Sequence, residues 1–290
     1  MNTITSWVYI ISTITQASWR RKKSGLNGMY IFIIRLLECL FLIPITFLIV
    51  GIKNTYYILL IYAWFRRLDD VLDHDSNPPS QWSRNQYLRH KVDLVEKINT
   101  NNIKQVSSCL SEDYLLINAV RNNLQRNIDI KQDLLEEIEC LSLDYSRRDR
   151  HFLLTKKELY SGAQKQDKAV FSISIKVLRS DIGTFNQECS ILQGIFTRID
   201  WFSDMTEDIQ NQIINIPLEI LHDNNISNNI SAHPEFKKWF NSNVTEIQNE
   251  WNEKKDSIEQ LLGKVFSNYR LAPFLISFFI KKIDTVVSSL

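Results

Sequence analysis

Helix breakers are scarce in this chain: seven glycines and six prolines in 290 residues. Strand-type alternation of polar and apolar residues is nearly absent as well. Both absences point to long helices with short connections, an all-α class. The length and the 44% hydrophobic content suffice for a full core, and we expect a single domain over residues 1–290. Cysteine is sparse too: Cys39, Cys109, Cys140 and Cys189 stand at wide, unrelated spacings without a CxxC pair. That argues against zinc and against a disulfide framework, and leaves buried thiols. A formal net charge of +1 supplies no field for nucleic acid, so no nucleic-acid partner is expected. No apolar run reaches the ~20 residues of a membrane span. The longest, from Cys39 to Gly51, contains Pro44 and reads as a core helix. No GxGxxG fingerprint occurs, so NADPH is not indicated, its use staying an open alternative. Residues 1–23 end in Arg20-Arg21-Lys22-Lys23, the reverse of a secretory signal's charge order. They read as a peripheral helix, with organelle targeting as an open alternative. The expected location is the cytoplasm, with peripheral membrane contact.

Acid at helical spacing is what the chain does have. From Tyr62 to Asp75 an apolar, aromatic run turns into four carboxylates, Asp69, Asp70, Asp73 and Asp75, with Arg66 and Arg67 just before them. On a helix, Tyr62, Arg66, Asp69 and Asp73 share one stripe. Like charges at that spacing cost a few tenths of a kcal/mol or more unless something positive lies between them. A hard cation is the simplest candidate. Asn54-Thr55 opens this helix and Ser76-Asn77-Pro78-Pro79-Ser80 ends it. The acids therefore stand at a C-terminal mouth, where the macrodipole disfavours anions, and a bound cation is again expected.

A second acidic stripe runs through Asp200, Asp204 and Asp208, with Glu207 beside it, in a helix predicted over Ser180 to Ile209. Gln193 falls about two turns before Asp200 on the same stripe. If the two helices face each other, their carboxylates form a rim of oxygen donors suited to Mg2+, which shares its remaining positions with waters and substrate phosphates. Such a rim would hold a diphosphate.

Elsewhere the pattern predicts helices near 6–16, 29–50 with a kink at Pro44, 81–98, 111–128, 130–150, 158–179, 235–268 and 269–287, and a loop over 223–232. Most charges on 81–150 read as solvated surface. Arg147, Arg148 and Arg150 offer guanidinium forks that match phosphate oxygens, with an exposed, salt-laced helix end as the competing reading. Lys165 and Lys168 flank the point where their helix turns apolar at Ala169-Val170-Phe171. His74, His90, His151, His222 and His233 join no constellation, and the Asn-x-Ser/Thr triplets at Asn225, Asn229 and Asn243 read as chance.

The stretch Ile61-Tyr62-Ala63-Trp64-Phe65-Arg66-Arg67-Leu68-Asp69-Asp70-Val71-Leu72-Asp73 resembles the first aspartate-rich motif of the squalene/phytoene synthase family. Leu192-Gln193, then Asp200-Trp201-Phe202-Ser203-Asp204-Met205-Thr206-Glu207-Asp208, and on to Pro217 is similar to the family's second motif. Tyr269-Arg270 with the final apolar helix resembles its end, so the likeness covers nearly the whole chain. The resemblance implies the isoprenoid synthase fold, with two aspartate-rich helices facing each other across a deep apolar cavity. It also implies Mg2+-assisted loss of diphosphate from a prenyl diphosphate, farnesyl or geranylgeranyl, and head-to-head coupling of two prenyl chains. By that resemblance Asp69, Asp70 and Asp73 would hold one metal cluster and Asp200, Asp204 and Asp208 the other. Tyr62, Arg66, Arg67, Lys168 and Gln193 form the candidate catalytic set. Arg66, Arg67, Arg147, Lys165, Lys168, Phe171, Gln193 and Phe196 form the candidate substrate contacts, the arginines and lysines for the diphosphate. The rings of Tyr62, Phe171 and Phe196 suit the carbocation.

Two stretches depart from the family. Gln164-Lys165-Gln166-Asp167-Lys168-Ala169 stands where it has a Val-Ala-Gly element, and Gln212-Ile213-Ile214-Asn215 where it has Gly-Arg-x-Tyr. They motivate a second hypothesis, a class I terpene cyclase acting on one prenyl chain. A third is a non-catalytic assembly factor, since the family includes one. Six aspartates kept in two clusters speak against it.

Overall fold

The computed structural model describes residues 52–73, 76–79, 81–98, 110–150, 153–178, 191–192, 194–210, 215–223, 230–267, 269 and 272–290. The helices expected at 6–16 and 29–50 lie outside these residues, as do Cys39, Cys109, Cys189, His74, Asp75, His151, Asn225 and Asn229. Among the described residues every regular element is helical, as the scarcity of glycine and proline predicts. None of the described helices is long and apolar enough to cross a membrane. The chain divides into two compact units, Met1–Leu141 with Ile173–Asp181, and Ser142–Ser172 with Ile182–Leu290.

The first unit is organised by α1, Ile52–Leu72, which packs on α2, Arg84–Lys97, and α3, Ser111–Leu124. Tyr57, Leu60, Ile61, Trp64, Leu68, Val71 and Leu72 recur at three- and four-residue steps along α1, and all are buried. That stripe makes this segment a helix and decides which side faces the core. Ser83 starts α2 with a reciprocal cap: its hydroxyl accepts from Gln86 N at 3.2 Å, and Gln86 Oε1 accepts from Ser83 N at 2.8 Å. Past the end of α3, Asn127 takes a left-handed φ of 58°. The Ile128 amide then bonds back to Asn123 O at 2.9 Å, which stops the helix short of the expected residue 128. The first turns of α4, Lys131–Arg150, and the end of α5, Lys156–Leu178, complete this unit, with Lys176 Nζ 2.6 Å from Asp133 Oδ2. Cys140, the described cysteine, is buried.

The second unit takes the rest of α4 and α5 and adds α6, Ile195–Gln210, α7, Leu218–Asp223, a 3-10 turn at Ile230–Ala232, α8, Pro234–Val265, and α9, Ala272–Ser289. The short α7 falls where no helix was expected. The long α8 starts with Pro at its first position behind His233 and packs on α9 and α6. Ile195, Ile199, Phe202 and Met205 form the buried ridge of α6, and Phe202 meets Trp239 and Phe240 with ring centroids 5.4 and 5.3 Å away.

The helix predicted from Ser180 is a correction. Gly194 has a φ of 75°, and the helix bearing the second acidic stripe begins only at Ile195. The glycine is required because α5 passes close: a Cβ there would stand 2.8 Å from Ala163 Cβ. Asn243 is 5% exposed, accepts from Tyr160 Oη at 2.8 Å and donates to Trp239 O at 2.8 Å. Its triplet is therefore not a glycan acceptor in the folded chain, in line with the chance reading.

Candidate active site

The mouth of α1 is rich in cations from the protein itself. Arg66 Nη1 lies 2.7 Å from Asp69 Oδ2 and its Nη2 lies 2.8 Å from Asp70 Oδ1. Residues three and four apart share a helix face, which is what lets one guanidinium bridge two successive aspartates. Burial alone would lower the Arg66 pKa, but Asp69 and Asp70 raise it and hold the group charged. Arg67, one position on and so turned by about a quarter of the circumference, serves different partners. It donates to Ser76 Oγ and, at 3.0 Å, to Asn77 O, while its Nε faces Glu112 Oε2 at 3.7 Å. Arg84 Nε donates to Val71 O at 2.8 Å, at the carbonyl end of α1. Arg66 thus answers the repulsion among the acids, and Arg84 meets a carbonyl at the negative end of the helix dipole. The chain thus supplies counter-charge of its own at this mouth, beside the cation expected from the sequence.

Behind the mouth lies a buried ionic cluster that the sequence reading missed. Lys91 is fully buried, with Nζ 2.6 Å from Glu112 Oε1 and 2.5 Å from Asp113 Oδ1, over the rings of Tyr87 and Trp64 at 4.5 and 5.2 Å. Asp113 also accepts from Trp64 Nε1 at 3.1 Å and Leu110 N at 3.0 Å, and His90 Nε2 lies 2.6 Å from its Oδ2. Burial raises the Asp113 pKa, but the contacts with His90, Lys91 and Trp64 outweigh it and bring the carboxyl down to about 2. Lys91, Asp113 and His90 are exceptions to the expectation that most charges on residues 81–150 are solvated surface. A signal was present, because Lys91 occupies a core position of the Tyr87, Leu94, Val95 stripe.

In the second unit, Asp200 is exposed and Asp204 half-buried, on the side of α6 away from its apolar ridge, and the side chain of Asp208 lies outside the description. Asp167 of α5 holds the start of this helix. Its carboxylate accepts from Phe196 N and Thr197 N at 3.0 Å each, and from Thr197 Oγ1 at 2.7 Å. It is an N-cap supplied by another helix. Burial pushes this carboxyl up to about 6, with the Thr197 and Phe196 hydrogen bonds opposing. Arg198, 4% exposed, pairs with Glu250 of α8 and lies over the Tyr160 ring at 5.0 Å.

The other candidates fall as follows. Phe171 and Phe196 stack at 5.1 Å, and Phe196 also meets Trp251 and Phe279 at 6.1 and 5.8 Å. Of the three rings named from sequence, Phe171 and Phe196 thus fall in one cluster. Lys165 is half-buried and Lys168 exposed, on the α5 stretch 164–169 that also carries Asp167, the partner of the first α6 amides. Arg147 is 3% exposed, with Nη1 2.8 Å from Asp144 Oδ1 and Nη2 donating to Asn215 Oδ1 at 2.7 Å. Its fork joins α4 to the segment before Pro217, so it is not part of an exposed helix end. Tyr62 is 51% exposed. Gln193 and the side chains of Arg148 and Arg150 lie outside the described residues.

Among the described residues, no group of three or more His, Cys, Asp or Glu side chains converges as a metal cage. The donors are all carboxylates, and they fit Mg2+ in its usual manner, one or two at a time beside substrate phosphates. No family model matches the chain, and no curated protein matches it.

Proposed function

We propose that the chain is a Mg2+-dependent prenyl transferase of the squalene/phytoene type, with the isoprenoid synthase fold. On this reading it ionises an allylic prenyl diphosphate and couples two prenyl chains head to head with release of diphosphate. The observation that carries the reading is the mouth of α1, where a largely buried, aromatic helix ends in Asp69, Asp70 and Asp73 with Arg66 bridging the first two. A second helix, α6, carries acids at the same spacing. Asp69, Asp70 and Asp73 would hold one set of ions, and Asp200, Asp204 and Asp208 the other. When bound, Mg2+ supplies the positive charge that neutralises the departing diphosphate. Arg66 offers the diphosphate charge-assisted hydrogen bonds, and the rings of Phe171 and Phe196 offer a cation the attraction of their faces while keeping water away.

Class I terpene cyclisation is the second reading. It draws on α5, where the stretch that differs from the family carries Asp167, the anchor of α6. Purified protein with Mg2+ and each of geranyl, farnesyl and geranylgeranyl diphosphate, analysed by gas chromatography and mass spectrometry, separates the two. A hydrocarbon of twice the substrate's carbon count establishes coupling, and a cyclic product of unchanged carbon count establishes the cyclase. Absence of diphosphate release from all three substrates removes both and revives the non-catalytic assembly factor.

A further inference from the structure

Arg67 joins the two ends of the acidic segment. Its guanidinium starts from the turn before Asp69 and donates to Ser76 Oγ and Asn77 O, just after Asp73. Between these attachments the backbone closes on itself, with Asp73 N bonded to Asp69 O and Ser76 N to Asp70 O, each at 2.8 Å. The third edge of the fork, Nε, is aimed at Glu112 in the first turn of α3. Glu112 in turn accepts from Tyr87 Oη and is paired with Lys91. Lys91 is wholly enclosed, so the relay from Lys91 through Glu112 to Arg67 starts in the core and ends at the acids without meeting them.

We propose that Glu112, braced by Lys91, is a positioning residue that acts through Arg67 to fix the segment bearing Asp69, Asp70 and Asp73. The inference rests on the reading of those aspartates as the diphosphate site, and it takes Arg67 out of the set that touches substrate. Three carboxylates on one helical turn repel each other and would spread an unbraced helix end. A guanidinium fork holds two neighbouring acceptors at once in a fixed plane, here the Ser76 hydroxyl and the Asn77 carbonyl, which a lysine cannot reproduce. A site whose ligands must stand within a fraction of an ångström of productive geometry depends on such support behind it.

The test uses the full chain with Glu112→Gln and, separately, Arg67→Gln. Glu112→Gln keeps an acceptor for Tyr87 and removes the charge opposite Arg67. Arg67→Gln leaves the Lys91 pairs untouched, so it keeps the test valid if the first variant folds poorly. Hydrogen exchange by mass spectrometry is followed over residues 66–79 and over α8, together with KM and kcat for diphosphate release. The expected result is exchange at least tenfold faster over 66–79 and unchanged over α8, with KM raised about tenfold and kcat within threefold of wild type. Exchange that rises equally everywhere, or not at all over 66–79, overturns the proposal. So does a local rise with wild-type kinetics, which would mark Arg67 as a structural staple only. If the wild-type chain releases no diphosphate from any prenyl diphosphate, the functional reading fails, and the exchange arm alone decides whether Glu112 fixes this segment.

Discussion

Arg66 sits between two carboxylates of unequal burial, Asp69 at the rim and Asp70 only 3% exposed, and that inequality sets what its removal does. Removing one member of a buried ion pair leaves the other charged in a place water cannot reach, which typically costs 3–5 kcal/mol, while removing both costs much less. Arg66→Gln is therefore expected to lower the free energy of unfolding by about 3 kcal/mol. Arg66→Gln with Asp70→Asn should recover at least half of that loss in urea titrations at pH 7. A single variant within 1 kcal/mol of wild type would mean that the bridge contributes little. The stripe itself was legible, since Tyr62, Arg66, Asp69 and Asp73 follow from helical spacing alone. What spacing left open was that Arg66 reaches forward to bridge its own aspartates. Lys91 was obscured in another way: hydrophobic patterning assigns a lysine to the surface, and only its register with Tyr87, Leu94 and Val95 hints at a core position.

At the level of elements, most helices were readable because apolar residues recur at three- and four-residue steps, while the starts that Ser83, Thr155 and Pro234 mark were placed one to three residues off. The start of α6 was not. A glycine inside a helical pattern is ordinarily tolerated, so nothing local distinguishes Gly194 from Gly263. Tertiary contact does. Gly194 has a left-handed φ and lies against Ala163, whereas a Cβ on Gly263 of α8 meets nothing within 4 Å. Gly194→Ala is expected to destabilise the chain by about 2 kcal/mol, from strain in the left-handed region together with the clash. Gly263→Ala should instead stabilise it by roughly 0.5–1 kcal/mol, because alanine loses less backbone entropy in a helix interior. Thermal unfolding of the two variants beside wild type checks this pair. Equal shifts of the same sign would refute the account of how α6 begins.

For the whole molecule, two buried carboxylates, one in each compact unit, bend the dependence of stability on pH in opposite directions. Neither was foreseeable from the sequence. An aspartate on an apolar stripe reads as a patterning error until the partners that neutralise or stress it are in place. Asp113 is depressed to about 2 from an ordinary value of 3.8, so its contribution is present above pH 3.8 and is lost as the pH falls toward 2. Asp167 is raised to about 6 from the same value. Protonating it favours the folded chain, so stability grows as the pH falls through 6 and levels off below 3.8. Each difference is worth on the order of 2–3 kcal/mol at its full extent. From these two groups the chain should be most stable between about pH 4 and 5 and lose stability on either side. Asp167→Asn keeps one acceptor for the α6 amides and removes the charge, so it should flatten the limb from pH 4 to 7. Asp113→Asn should be less stable at pH 7 and should lack the limb below pH 4. Urea midpoints measured from pH 2.5 to 8 for wild type and both variants decide the matter. A wild-type curve that rises steadily from pH 4 to 7 would mean that the three donors on Asp167, not its burial, set its charge.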